Sequence, residues 1–150
     1  MMIRKLTDRE EPPMALLLLA DPAPLLVKQY LSRGDCHIAI LDGRIVGEYV
    51  LLPTRPDIVE LVNVAVIEDK QGEGLGKRLV LHAIETAKAS GYKTIEIGTG
   101  NSSIAQLALY QKCGFRIVGI DQDFFVRHYP EKIIENEIWC RDMIRLSQDL

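Results

Sequence analysis

Long apolar runs are missing from this sequence. The longest, Met14 to Ala20, falls far short of the roughly 20 residues that span a bilayer, and no charged, apolar and small-residue leader precedes it. A soluble, cytoplasmic protein with no membrane contact is expected. Cysteine is scarce: Cys36, Cys113 and Cys140 stand far apart and are odd in number. They make neither a disulfide framework nor the CxxC spacing of a metal site, which points to reduced thiols. No sign of charge dominates either, since 18 Lys and Arg face 21 Asp and Glu for a net charge of -3. That balance argues against the clustered basic surface that neutralises phosphates, so no nucleic acid partner is expected. His37 and His82 have no His, Cys or Asp at ligand spacing, so no metal is expected. Repeats, linkers and low-complexity segments are also lacking.

What remains is an ordinary globular composition, 47% hydrophobic and 26% charged over 150 residues. It suffices for one domain with a proper core. Ile3 to Leu6 reads as a first strand. Pro12-Pro13 opens a helix whose apolar body is Met14 to Ala20, because proline is tolerated in a first turn. Asp21-Pro22 breaks it. A second helix runs from about Ala23 to Arg33, with Leu25, Leu26, Gln29 and Tyr30 at helical period, and Gly34 stops it. Cys36 to Leu41 and Arg44 to Leu52 flank Asp42-Gly43, the signature of a hairpin. Asp57 to Ile67 is the next strand and Gly74 to Ser90 a helix. Thr94 to Thr99 then returns on the other side of that helix through a right-handed crossover. A helix over about Ser103 to Lys112 follows. Phe115 to Phe125 and Ile133 to Leu146 read as two long closing strands, antiparallel and joined by an aromatic loop over 121–131. Trp139 and Cys140 read as core. The order predicts an α/β fold: a mixed, mostly antiparallel central sheet of about seven strands with helices on both faces.

The chain is organised around one stretch. Val64-Ala65-Val66 ends a strand, Gln71-Gly72-Glu73-Gly74-Leu75-Gly76-Lys77 turns, and a helix begins whose Leu75, Leu79, Ala83 and Ala87 share a face. Glycines at a helix start let bare N–H groups close around an anion while the helix dipole adds positive potential. The dinucleotide fingerprint would need glycine at Lys77. The P-loop would need glycine at Gln71 and a hydroxyl at Arg78. Both fail. What stands is Gln71-x-x-Gly74-x-Gly76. A second stretch follows in Asn101 to Phe115, with Asn101, Ala105, Tyr110 and Gly114-Phe115 on or beside a helix that ends at glycine.

In this order the two stretches resemble the pyrophosphate loop and the second signature of the GCN5-related N-acetyltransferases, over roughly residues 35 to 128. The resemblance implies the acyl-CoA N-acyltransferase fold. It also implies direct transfer of acetyl from acetyl-CoA to a primary amine of a small molecule or peptide, and a homodimer. Gln71, Gly72, Gly74 and Gly76 would hold the pyrophosphate, with Lys77 adding charge or standing as a solvated helix lysine. Val64, Ala65 and Val66 would pair with the pantetheine arm, which requires strand 57–67 to part from strand 94–99. Asn101 is a capping-region residue, a cofactor contact, or both. Tyr110 carries the general-acid position of the family, or packs as a core tyrosine. Glu60, four residues before Val64, is similar in placement to the basic glutamate of the histone-acetylating branch, and Glu48 is the alternative base. The first two helices and the 121–131 loop would edge the acceptor, with His128, Tyr129 and Glu135 as recognition residues. Two rival readings keep the same residues: a catalytically idle acyl-CoA-binding regulatory module, and an α/β domain with plain turn glycines.

Overall fold

The computed structural model describes residues 1–150. Its strands are β1 (Met2–Lys5), β2 (Asp35–Leu41), β3 (Arg44–Arg55), β4 (Ile58–Val66), β5 (Thr94–Gly100), β6 (Arg116–Asp121), β7 (Ile133–Glu135), β8 (Ile138–Cys140) and β9 (Met143–Asp149). Seven of them form one sheet in the order β1-β2-β3-β4-β5-β9-β6, and β7 with β8 makes a separate hairpin. Every neighbour in the large sheet is antiparallel except β4 and β5, which are joined through a helical crossover. The expected mixed, mostly antiparallel α/β sheet is therefore present.

Helices cover both faces because the strands alternate. Along β3, Tyr49 and Leu51 point to the face of α3 (Leu75–Ala89), where they join Leu79, Val80 and Ala83 in the main core. Val50 and Leu52 point the other way. They pack with Leu17 of α1 (Met14–Ala20) and Val27 and Tyr30 of α2 (Pro24–Leu31) in a second core. Leu79, at 0% exposure, anchors α3. Burying such a side chain is worth about 1.5–3 kcal/mol, so the helix start it supports is firmly placed. α4 (Ile104–Lys112) places Tyr110 in the same main core.

The closing segment differs from its expected form. The chain over Ile133 to Leu146 is not one strand. Asn136 and Glu137 both take left-handed backbone angles, φ 55° and 63°, and fold β7 back onto β8 as a two-residue hairpin. β9 starts only at Met143. The aromatic loop contains a short helix, α5 (Phe124–His128), entered through a left-handed Asp123 at φ 60°. Trp139 is half-buried rather than core, with Lys132 and Arg141 cations 4.6 and 4.3 Å from its ring centre, whereas Cys140 is buried as expected.

Candidate active site

The site begins where two strands part. β4 pairs with β5 at Ile58–Thr94, Val59–Ile95 and Glu60–Glu96, and no further. β4 then stays with β3 up to Gly47–Val66, while β5 stays with β9 up to Gly100–Met143. A bulge in β4 accompanies the parting: Val50 faces Asn63 and Leu51 faces Leu61, so Val62 is the extra residue. Such a bulge bends its strand and increases local twist. The backbone edge of Leu61–Val66 is left without a strand neighbour on this side. Between the parted strands lies a cavity of about 730 Å³, lined by both of them.

At the end of β4 the chain makes a single 3₁₀ turn (Glu68–Lys70) and enters the glycine loop. Gly72 and Gly74 adopt left-handed angles, φ 81° and 83°, and a Cβ at either would meet nothing within 4 Å. Glycine is required there by backbone conformation rather than by space. Gly74 is the N-cap of α3 and supplies no side-chain cap. The N–H groups from Gly72 through Lys77 donate to no protein acceptor; the first used is that of Arg78, to the Gly74 carbonyl at 3.2 Å. A run of free N–H groups at a helix N-terminus fits an anion such as a pyrophosphate. Gln71 Nε2 donates to the Val66 carbonyl at 3.0 Å, tying the loop to the open end of β4. Lys70, Gln71, Gly72 and Gly76 line the cavity; Gly74 shapes the turn behind them, and Lys77 is exposed outside the lining.

Tyr110 reaches the cavity from α4. It is 6% exposed, its ring meets Phe115 edge-on at 6.3 Å, and its hydroxyl makes no protein hydrogen bond. Burial pushes its phenol up to about 12, so it carries its proton at neutral pH. Glu60 is not in the cavity lining. It occupies a neighbouring hollow of about 260 Å³ with Arg55, Glu96 and Arg145. Burial raises its carboxyl pKa, with Arg145 opposing. Glu48 is fully buried, opposite Ala65 of the cavity wall, and neither carboxyl oxygen has a partner. Burial pushes it up to about 8.

The opposite wall is polar and acidic. The hydroxyl of Tyr129 donates to Asp21 Oδ1 at 2.8 Å, and that of Tyr30 to Asp21 Oδ2 at 3.3 Å. Asn63 Nδ2 donates to Tyr30 Oη at 2.7 Å and to the Leu17 carbonyl at 3.0 Å. An amide nitrogen can only donate, so the Tyr30 proton is directed at Asp21 and the polarity of the chain is set. Asp21, Asn63, Tyr129 and Glu135 all line the cavity, and Asp21 makes no ion pair. Glu135 Oε1 accepts from Ser103 at 2.7 Å and from Ser102 at 3.2 Å.

Two further expected site residues lie off the cavity. The His128 ring packs at a tilt against Phe124, centroids 4.5 Å apart, off the cavity. The Asn101 amide is consumed by the turn before β9: Nδ2 donates to the Trp139 carbonyl, and Oδ1 accepts from the Arg141 and Asp142 N–H groups at 2.9 and 3.0 Å. Asp21 and Asn63 escaped sequence reasoning. Asp21 read only as a helix breaker. The signal for Asn63 was its polarity inside the apolar run from Leu61 to Val66.

An open strand edge, a run of free N–H groups at its end and a protonated phenol on the same cavity suit a transferase that works from a phosphate-bearing acyl carrier. Known proteins agree. The chain belongs to the Acetyltransferase (GNAT) family, which it matches over residues 3–115. It is 63% identical over 135 residues to the uncharacterized N-acetyltransferase YvbK of Bacillus subtilis (strain 168), covering 90% of this chain and 87% of that one. A Bacillus subtilis acetyltransferase crystallised in complex with CoA has a TM-score of 0.95 and 58% identity, over 99% of this chain and 97% of that one. A GNAT family acetyltransferase from Elizabethkingia anophelis with acetyl-CoA bound has a TM-score of 0.98 and 46% identity, again over 99% and 97%. The protein is thus an N-acetyltransferase that uses acetyl-CoA.

Proposed function

We propose that the protein transfers the acetyl group directly to the primary amine of a small molecule or peptide, with both reactants in the cleft between β4 and β5. The early parting of those strands, after Glu60 and Glu96, is the observation that carries this reading. Val64, Ala65 and Val66 lie on the strand edge that β5 leaves open and receive the pantetheine arm as a neighbouring strand would, with the Val66 carbonyl shared with Gln71 Nε2. Gln71, Gly72, Gly74 and Gly76 hold the pyrophosphate, and Lys77 adds positive field from outside the cradle. Acetyl-CoA supplies an activated acyl carbon, so no covalent enzyme nucleophile is needed. The amine nitrogen bonds to that carbon as the carbon–sulfur bond breaks. Tyr110 gives its phenolic proton to the departing sulfur, whose own pKa lies near 8.5. Glu60 takes the proton lost by the amine through the adjoining hollow, with Glu48 as the alternative acceptor.

Asp21, Tyr129 and Glu135 face the acceptor, and the carboxylates of Asp21 and Glu135, without ion-pair partners, favour an amine that arrives as an ammonium. His128 and Asn101 serve this end indirectly, one by holding Phe124 and the other by fixing the turn before β9. We also propose a homodimer in the cytoplasm, where the three unpaired thiols stay reduced. A panel of primary amines screened for release of free coenzyme A thiol tests the reading. Amine-dependent release supports it. Tight coenzyme A binding with no amine-dependent release across amino acids, polyamines, aminoglycosides and peptides contradicts it and favours a regulatory module.

A further inference from the structure

Three charged side chains line the cavity between β4 and β5. Lys70 lies in the turn that leads into the glycine loop, the place of the anion. The other two are carboxylates of the polar wall: Asp21, which follows α1, and Glu135, on β7. Neither is in an ion pair. They also share no partner. Asp21 accepts from Tyr30, Tyr129 and the Ala23 N–H, and Glu135 from Ser102 and Ser103. A carboxylate has about four lone-pair sites, so room for a further donor remains on both.

The same wall holds a third acceptor. Asn63 lines the cavity and is only 3% exposed. A carbonyl can only accept, so the nitrogen of the Asn63 amide must face the Leu17 carbonyl, at 3.0 Å. That nitrogen also donates to Tyr30 at 2.7 Å, and Oδ1 is left without a donor. A buried acceptor with no partner calls for one. The wall thus offers acceptors to a donor-rich cation and nothing positive to an anion.

The transfer chemistry decides which nitrogen this wall receives. The nitrogen that attacks the acetyl carbon must first shed a proton, because an ammonium has no lone pair. A carboxylate that stayed on it would favour the ammonium form and hold the reaction back. A nitrogen that does not react can stay charged and paired throughout. We infer that the acceptor carries, besides its reacting amine, at least one further cationic nitrogen, that Asp21 binds it, and that Glu135 offers a second such place. The shared chemistry is that of a polyamine, whether its nitrogens sit on a flexible chain or on a ring. Phe125, Ile133 and Ile134 line the same cavity and suit the carbon stem between the charges. An amine that carries its own carboxylate, such as an amino acid, would meet like charge and be refused. The inference rests on the transfer to a primary amine proposed above and names the class of that amine.

Calorimetry on the protein saturated with coenzyme A reads binding without turnover. 1,5-Diaminopentane is expected to bind at least about tenfold more tightly than pentylamine, the scale of one charge-assisted hydrogen bond, and 6-aminohexanoate more weakly than either. With acetyl-CoA, kcat/KM read by thiol release should follow the same order. Asp21→Asn is expected to cut the advantage of the diamine to within about threefold while the Kd for coenzyme A holds. Glu135→Gln, at an exposed position, is expected to reduce it as well, and carries the test if Asp21→Asn does not fold. Spermidine and an aminoglycoside, compared in the same assay, separate a flexible acceptor from a ring-borne one. Equal affinity for diamine and monoamine overturns the inference, as does an advantage that survives both substitutions. Thiol release with pentylamine would then leave the transfer reading standing. A diamine advantage in binding with no release from any amine would do the reverse, supporting the cation site and contradicting transfer.

Discussion

Glu60 on β4 and Glu96 on β5 face each other at the last rung that joins the two strands. The sheet opens immediately beyond them. Burial raises the Glu60 carboxyl above its ordinary 4.5; Arg145 opposes the shift and Glu96 reinforces it. A general base in this place should set the acidic limb of the rate profile. The expected outcome is a kcat/KM for amine that rises with pH through a midpoint above 4.5, and a Glu60→Gln enzyme that loses that limb. A limb unchanged in Glu60→Gln would transfer the role to Glu48 or to solvent.

Tyr110→Phe should separate chemistry from binding. Loss of the phenolic proton is expected to lower kcat by about 10²–10⁴-fold, the usual range for a general acid. The Kd for coenzyme A, read by calorimetry, is expected to stay within about twofold, because the ring and its contact with Phe115 remain. Unchanged kcat would reduce Tyr110 to a packing residue.

Gly74→Val probes the cradle. The residue needs φ 83°, where a β-branched side chain is strained by about 1–3 kcal/mol. The N-cap is expected to reshape, turning the free N–H groups from Gly72 to Lys77 away from one another. Coenzyme A affinity should fall by well over the roughly tenfold that 1.4 kcal/mol represents, and by more than thermal stability measured without ligand. Equal losses in both would count against an anion site.

Glu48 makes stability depend on pH. Its folded carboxyl lies at about 8 and its ordinary value is 4.5, so between these limits the folded chain holds a proton that the unfolded chain has released. Stability must then fall as pH rises from about 4.5 to about 8, by up to about 1.4 kcal/mol per pH unit, and level off above. Glu48→Gln is expected to flatten this slope in urea titrations across that window. A variant with the native slope would show that burial does not hold a proton on Glu48 across that window.

Much of this was legible in the residues. Strong helical period marks α2 and α3, with Gly34 stopping the first, and Asp42-Gly43 marks the β2–β3 hairpin, because these signals are local. The cradle was legible for the same reason: Gly72 and Gly74 occupy left-handed positions that other residues avoid. The closing segment was not, since Asn136 and Glu137 turn the chain without a glycine to mark them. The Val62 bulge leaves no trace in an apolar run. The polar wall of the cavity depends on Asp21 and Tyr129, 108 residues apart, and no local pattern links them. Asn101 looked like a cofactor or capping residue beside its helix, yet its amide is spent on the backbone of Trp139, Arg141 and Asp142, a long-range use that no local pattern shows.

The most direct test is amide NMR of the labelled protein titrated with coenzyme A. Large shifts and new exchange protection are expected at the N–H groups of Gly72 to Lys77 and along Leu61 to Val66, with β1 and β2 amides unmoved. Saturation with those amides unperturbed would show that the carrier binds elsewhere and would contradict the account.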